Sequence, residues 1–164
     1  MRILGIDPGL ATIGFGIIEK TNQGFTVIDY GVITTPKEMP LIQRLKHIYE
    51  AITESIKQFQ PHEIAIEELF FSKNITTGIP VSHARGVILL ACANSGIPSY
   101  EYTPIQIKQA LTGYGKAEKS QIQYMTKNIL NLTSIPRPDD AADALAIAIC
   151  HGQTNNKLID NMIK

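Results

Sequence analysis

The sequence predicts one α/β domain built on a five-stranded mixed sheet with helices on both faces. Three features carry that reading. The N-terminal part is a series of strand-like runs joined by turn signals; from Pro40 the apolar period lengthens to that of a helix; strand-length and helix-length patterns then alternate to a helical C-terminal part. A length of 164 residues suits one ordinary domain, and no repeat, low-complexity tract or linker divides it.

Three runs open the chain: Arg2 to Ile6, Thr12 to Glu19 and Phe25 to Ile33. They are rich in Ile, Val, Phe and Tyr, are separated by Pro-Gly and Asn-Gln-Gly, and read as a meander. Leu41, Ile42, Leu45, Ile48, Tyr49, Ile52, Ile56 and Phe59 then mark one face of a helix ending near Gln60, before Pro61. Glu63 to Phe70 returns as an apolar strand, and Ser72 to Thr77 reads as a polar loop. The helix expected over Val81 to Asn94 is apolar nearly all round, which implies burial on more than one side, in the core or at a subunit interface. A short strand, Ser99 to Tyr102, leads to a helix over Ile105 to Leu111, a Gly-Tyr-Gly break, and a helix over Glu118 to Leu132. Pro136 and Pro138 stop the chain. Asp139 is read as the cap of a last helix reaching Cys150, after which polar residues predict a frayed tail over 152–164.

Composition is that of a globular protein, with 44% hydrophobic and 18% charged residues. The net charge is zero, but it is segregated: residues 73–137 carry +5, the part before them −3 and the part after them −2. A basic middle between acidic ends suits a protein that grips phosphates with one part and holds cations with another. Cys92 and Cys150 sit in apolar runs without paired spacing and read as small buried side chains. The longest apolar stretch is far below a membrane-spanning length and no signal segment opens the chain, so no membrane association and a cytoplasmic location are expected.

Carboxylates occur where they are expensive. Asp7 ends the apolar run ILGID just before a Pro-Gly turn, the place where a central strand opens onto a cleft, although an aspartate there also serves simply to start a turn. Glu67 and Glu68 lie side by side in IAIEELF; alternation puts them on opposite faces, so only one can join a site with Asp7, and strand periodicity alone leaves both open. Asp140 and Asp143 are three apart, on neighbouring parts of one face of the last helix. Acidic points on the first strand, the fourth strand and the last helix, each bordered by core, suit a hard cation such as Mg²⁺ or Mn²⁺ rather than zinc. Two such ions about 4 Å apart are the arrangement used for phosphodiester hydrolysis. His47, His62, His83 and His151 stand in no catalytic motif and read as ordinary core or surface histidines.

GIDPG at 5–9, IEELF at 66–70, AEKSQIQ at 117–123 and DDAADALAIAI at 139–149 form an ordered set that resembles the RuvC family of Holliday junction resolvases, from Arg2 to about His151. The resemblance implies a ribonuclease H-like nuclease domain over 1–151. It also implies a homodimer that nicks two symmetric strands of four-way junction DNA during recombination and repair, leaving 5′-phosphate and 3′-hydroxyl ends. RuvA and RuvB, the branch-migration proteins, are the implied partners, and Mg²⁺, two per site with Mn²⁺ as a substitute, is the implied cofactor. Asp7, Glu67, Asp140 and Asp143 match the family's metal-binding acids, which selects Glu67 over Glu68. Phe70 matches an aromatic wedge that stacks on an unpaired base, with Phe71 as its competitor, and Lys108 and Lys119 match lysines that approach the scissile phosphate. Lys116 has no counterpart in the pattern and, with Lys73, is assigned to general DNA contact. Some relatives carry histidine at the position of Asp140. An actin-like kinase or chaperone ATPase also opens with strand, aspartate and glycine turn, but needs two lobes. A non-catalytic junction-binding protein would not need the full set of acids. Nucleases of the same fold acting on RNA/DNA hybrids share the acids; the AEKSQ block and Phe70 favour the junction enzyme.

Overall fold

Side-chain alternation on the first strand divides the core in two. In the computed structural model, which describes residues 1–69, 75–154 and 161–163, β1 (Arg2–Asp7) sends Leu4 and Ile6 to one face of the sheet and Ile3 to the other. β1 pairs antiparallel with β2 (Thr12–Thr21), which pairs antiparallel with β3 (Gly24–Thr34), so the predicted meander is present. β4 (Glu63–Glu67) joins the other side of β1 in parallel, and β5 (Ser99–Tyr102) joins β4 in parallel, giving the order β3-β2-β1-β4-β5.

α1 (Leu41–Phe59) buries Ile48, Ile52 and Ile56, one position per helical turn, and ends at Gln60 in the left-handed conformation ahead of Pro61. It packs beside α2 (Ile75–Ser95) on the Leu4–Ile6 face. The opposite face is covered by α3 (Pro104–Thr112), α4 (Lys119–Ile129) and α5 (Asp139–Gln153), with α5 across the sheet. α3 starts with a capping box, Thr103 with Gln106, and Pro104 in its first position; Gly113 ends it at φ 73°. Cys92 and Cys150 are buried free thiols. Among the described residues no helix is long and apolar enough to cross a membrane.

Some boundaries differ from expectation. α2 begins at Ile75 rather than Val81 and carries Pro80 inside it; the ring removes a backbone donor and crowds the carbonyl four residues back, and the packing of the turns that follow outweighs that cost. The helix is not buried all round: Ala84, Ile88, Ala91 and Cys92 face the core, whereas Ile79 and Leu90 are exposed. β4 ends at Glu67, and Phe70 and Lys73 lie outside the described residues. α4 stops at Ile129 because Leu130 and Asn131 turn the chain, Asn131 with φ 52°. Asp139 is not the cap of α5: Pro138 holds that position and Asp139 is the first helical residue. α5 continues to Gln153, and Met162 bridges to Tyr100 while the Ile163 amide donates to the Ser99 carbonyl at 2.9 Å.

Candidate active site

Strand phase decides which acids meet. On β1, Ile3 faces α5, and the position of Gly5 abuts Ala144 and Ala148 of that helix, so Asp7 projects from the same side. On β4, Ala65 faces α5 and Glu63 touches His151 of that helix, which puts Glu67 on the α5 side as well. Ile6 and Ile66 are register partners, so Asp7 and Glu67 follow them as neighbours at one end of the sheet. Glu68 instead lines a separate recess with Arg85 and Glu101. The choice between Glu67 and Glu68 therefore follows from the register of β4 against β1.

Close approach of backbone to backbone brings the remaining acids in. A Cβ at Gly5 would lie 2.1 Å from the Ala144 carbonyl oxygen, and one at Gly14 would lie 2.0 Å from that of Asp140. Glycine on the strands and alanine on the helix let α5 settle directly on β1 and β2. The first turns of α5 thus carry Asp140 and Asp143 over the strand end that holds Asp7.

The electrostatics are those of a site short of positive charge. Burial first, then the charges of Glu67, Asp143 and Asp140, push the Asp7 carboxyl from its ordinary 3.8 to about 8. Burial and Asp143 also push Glu67 up, against the opposing pull of a hydrogen bond with Asp7 and the charges of Lys119 and Lys108. Asp143 is raised by burial although Lys119 Nζ donates to its Oδ2 at 2.9 Å. Lys119 is raised in turn, mainly by that bond, and also lies 3.6 Å from Asp139 Oδ2. A cleft of about 250 Å³ opens among these groups; Glu67, Lys108, Lys119 and Asp143 supply its polar wall and Ile107 and Ile122 its apolar one.

Of the sequence-predicted residues, Asp7, Glu67, Asp140, Asp143, Lys108 and Lys119 are brought together. Lys116 is exposed on the segment between α3 and α4. Among the described residues, no three histidine, cysteine or acidic side chains form a preformed metal cage, and Lys119 is bonded to Asp143. The donor set still fits a hard divalent cation: it is all oxygen, and its acids outnumber its lysines. The sequence reads Asp139 as a helix cap and gives no sign that it is a partner of Lys119, which is the role the structure gives it.

A second cluster was not legible at all. His151, near the C-terminal end of α5, is buried between Tyr102 and Glu63. The Tyr102 hydroxyl donates to Nδ1 at 2.7 Å, and Nε2–H donates to Glu63 Oε2 at 2.7 Å, the tautomer that satisfies all three groups. Burial holds the imidazole below its ordinary pKa despite Glu63. No spacing in the sequence signals this network, because its members come from three separate elements.

The family model described as crossover junction endodeoxyribonuclease RuvC matches residues 3–151. A protein of that name from Clostridioides difficile (strain 630) is 53% identical over 155 residues, covering 94% of this chain and 92% of the relative. The solved structure of Thermus thermophilus RuvC superposes with a TM-score of 0.89 at 33% identity, covering 99% of this chain and 98% of that one. The structure of T. thermophilus RuvC in complex with Holliday junction substrate gives 0.86 at 33% identity, with 93% and 94% covered.

Proposed function

The chain belongs to the RuvC family of crossover junction endodeoxyribonucleases, and from that premise we infer that it resolves Holliday junctions with Asp7, Glu67, Asp140 and Asp143 as its catalytic acids. The protein is a metal-dependent endonuclease with a ribonuclease H-like fold, acting in recombination and repair. The observation that carries the assignment of the site is Asp7, set beside Glu67 beneath the acidic start of α5 and held at about 8 by burial and by its neighbours. Such a group calls for a cation.

Asp7, Glu67, Asp140 and Asp143 would hold Mg²⁺, two ions per site with Mn²⁺ as a substitute, which would supply water activation and charge compensation at the leaving oxygen for a reaction that gives 5′-phosphate and 3′-hydroxyl ends. The chain's own residues do the rest. Lys119 neutralises Asp143 while the cleft is empty and turns to a phosphate oxygen when DNA enters, so its charge is already in place as negative charge develops. Lys108, on the same cleft wall, holds the strand's phosphate as a point charge. Phe70 serves as the wedge at the crossover, and Lys73 and Lys116 as backbone contacts. Residues 1–153, to the end of α5, form the nuclease domain and the residues after them its C-terminal tail.

Two nicks placed symmetrically require two sites related by a twofold axis, and one chain has one site. A homodimer supplies the second. The outward face of α2, where Leu90 is 54% and Ile79 53% exposed, is the part of the surface that suits the interface. RuvA and RuvB are the expected partners on the junction, in the cytoplasm.

The test is cleavage of a synthetic mobile four-way junction, with matched duplex and RNA/DNA hybrid as controls, in Mg²⁺, in Mn²⁺ and in EDTA. Paired nicking of the junction alone, lost in EDTA and in Asp7→Asn with junction binding retained, is the expected result. Preferential cutting of the hybrid, or full cleavage by Asp7→Asn, would overturn the assignment.

A further inference from the structure

The segment between α3 and α4 presents an aromatic ring that the fold does not use. Tyr114 is 58% exposed, yet its backbone is tied on both sides: its N–H donates to Thr112 Oγ1 at 3.1 Å, and its carbonyl accepts from Thr112 Oγ1 at 3.0 Å and from the Ala117 N–H at 3.2 Å. The single Thr112 hydroxyl proton is shared between the Tyr114 carbonyl and the Lys108 carbonyl, 2.8 Å away, which ties this turn to the helix that carries Lys108. Gly113, at φ 73°, makes the turn possible. A rigid turn holding an exposed tyrosine is a costly way to build a loop, because the ring gains nothing from the core.

Its position is defined by the next residue. A Cβ on Gly115 would come within 2.9 Å of Ile105 Cγ2, so the loop folds back onto the first turn of α3, immediately after β5. β5 is paired with β4 there, Tyr102 opposite Glu67, so this first turn stands at the sheet end that carries the acids. The loop's far end runs into Lys119 at the start of α4, in the cleft itself. Ile105, 63% exposed, and Tyr114 therefore belong to chain segments that border the cleft, and both are open to solvent. Lys108 on α3, Lys116 two residues beyond Tyr114 and Lys119 at the start of α4 lie along the same stretch of chain, and neither Lys108 nor Lys116 pairs with a carboxylate among the described residues. An exposed aromatic ring on a lysine-bearing segment beside the cleft matches one kind of occupant, a nucleic acid strand whose bases stack while its phosphates meet the charges.

We propose that Tyr114, with Ile105 beside it, is a stacking platform for a base next to the scissile phosphate, and that Lys116 anchors the backbone of that same strand. The proposal rests on the cleft being the DNA-cleaving site. Tyr114 acts as a positioning residue: bases at a branch point lose a stacking neighbour, and a ring fixed beside the cleft supplies a replacement that holds the strand in register. Stacking tolerates any base but favours purines, so the platform also biases which junction positions are cut.

Junctions carrying 2-aminopurine at single positions flanking the nick, titrated with the protein in EDTA, read the stacking directly. The wild type is expected to quench the probe at one such position, and Tyr114→Phe to retain that quenching. Tyr114→Ser loses it and slows single-turnover cleavage in Mg²⁺ by roughly tenfold, with the thermal midpoint unchanged. Lys116→Gln keeps the quenching but lowers the salt slope of binding by about 0.9. Unaltered quenching and cleavage in Tyr114→Ser, or failure of Tyr114→Phe to restore them, would overturn the platform. A wild-type protein that nicks no junction would instead sink the reading of the function.

Discussion

Replacing Asp7 with asparagine should make the metal-free protein more stable, by an amount that grows with pH. In the fold Asp7 ionises at about 8 rather than 3.8, so the folded chain holds a proton that the unfolded chain releases. Stability is then full below about pH 4 and is lost as pH rises toward 8. At about 1.4 kcal/mol per pH unit, the loss is about 2 kcal/mol at pH 5 and about 4 kcal/mol at pH 7. Asparagine carries no charge but leaves an amide short of a partner, at a cost of about 1 kcal/mol. The variant therefore starts close to the wild type at pH 5 and leads it by ~3 kcal/mol at pH 7, which for a chain of this size is roughly 6–12 °C. Calorimetry in EDTA from pH 5 to 8 measures the gap directly. Saturating Mg²⁺ should then raise the wild-type midpoint and narrow the difference. A gap that stays constant with pH, or a variant less stable than the wild type at pH 7, would refute the claim that burial and neighbouring acids strain Asp7.

Lys119→Ala should reduce the cleavage rate about 100-fold while weakening junction binding far less; because Lys119 opposes the upward shifts at Asp7, Glu67 and Asp143, the acid limb of the pH–rate profile should also move to higher pH, and equal losses in rate and binding would make the residue a general contact. Gly14→Ala places a methyl against the Asp140 carbonyl and should cost about 1–3 kcal/mol in stability and up to about 100-fold in rate, so wild-type activity would disprove the close approach of α5. Tyr102→Phe leaves His151 Nδ1 without its donor and should cost about 1–3 kcal/mol of stability, read as a lower thermal midpoint with cleavage unchanged; an unaltered midpoint would show the network contributes nothing. Leu90→Glu, at a position already half open to solvent, should yield a folded monomer in sedimentation that has lost paired nicking, and an unchanged dimer would exclude the outer face of α2.

Sequence patterns were most informative where structure is local. β5 has the limits read from its residues, and the α1 face follows its apolar spacing, because each depends on neighbours a few positions away. Asp7 was readable as a carboxylate at the end of an apolar strand. Glu67 was not separable from Glu68 by pattern alone, since alternation gives the relation between them but not the phase, which β1 imposes through Ile6 and Ile66. The early start of α2 was hidden by Pro80, a local breaker overruled by packing. No local pattern marks Gly5 and Gly14, because their purpose depends on α5, at the other end of the chain. Asp139 satisfied the composition rule for a cap, yet proline took the place and freed the aspartate for Lys119.

The contact of α5 with the sheet has a consequence for how the enzyme tolerates change. Where main chain rests on main chain, the height of the helix is set by atomic radii that every sequence shares, and no rotamer can raise or lower it. The separation between the acids on the strand ends and those on the helix thus behaves like a gauge machined into the polypeptide itself. Volume-conserving exchanges in the cores on the two faces of the sheet leave the tolerance at the cleft fixed, provided two strand positions never acquire a side chain.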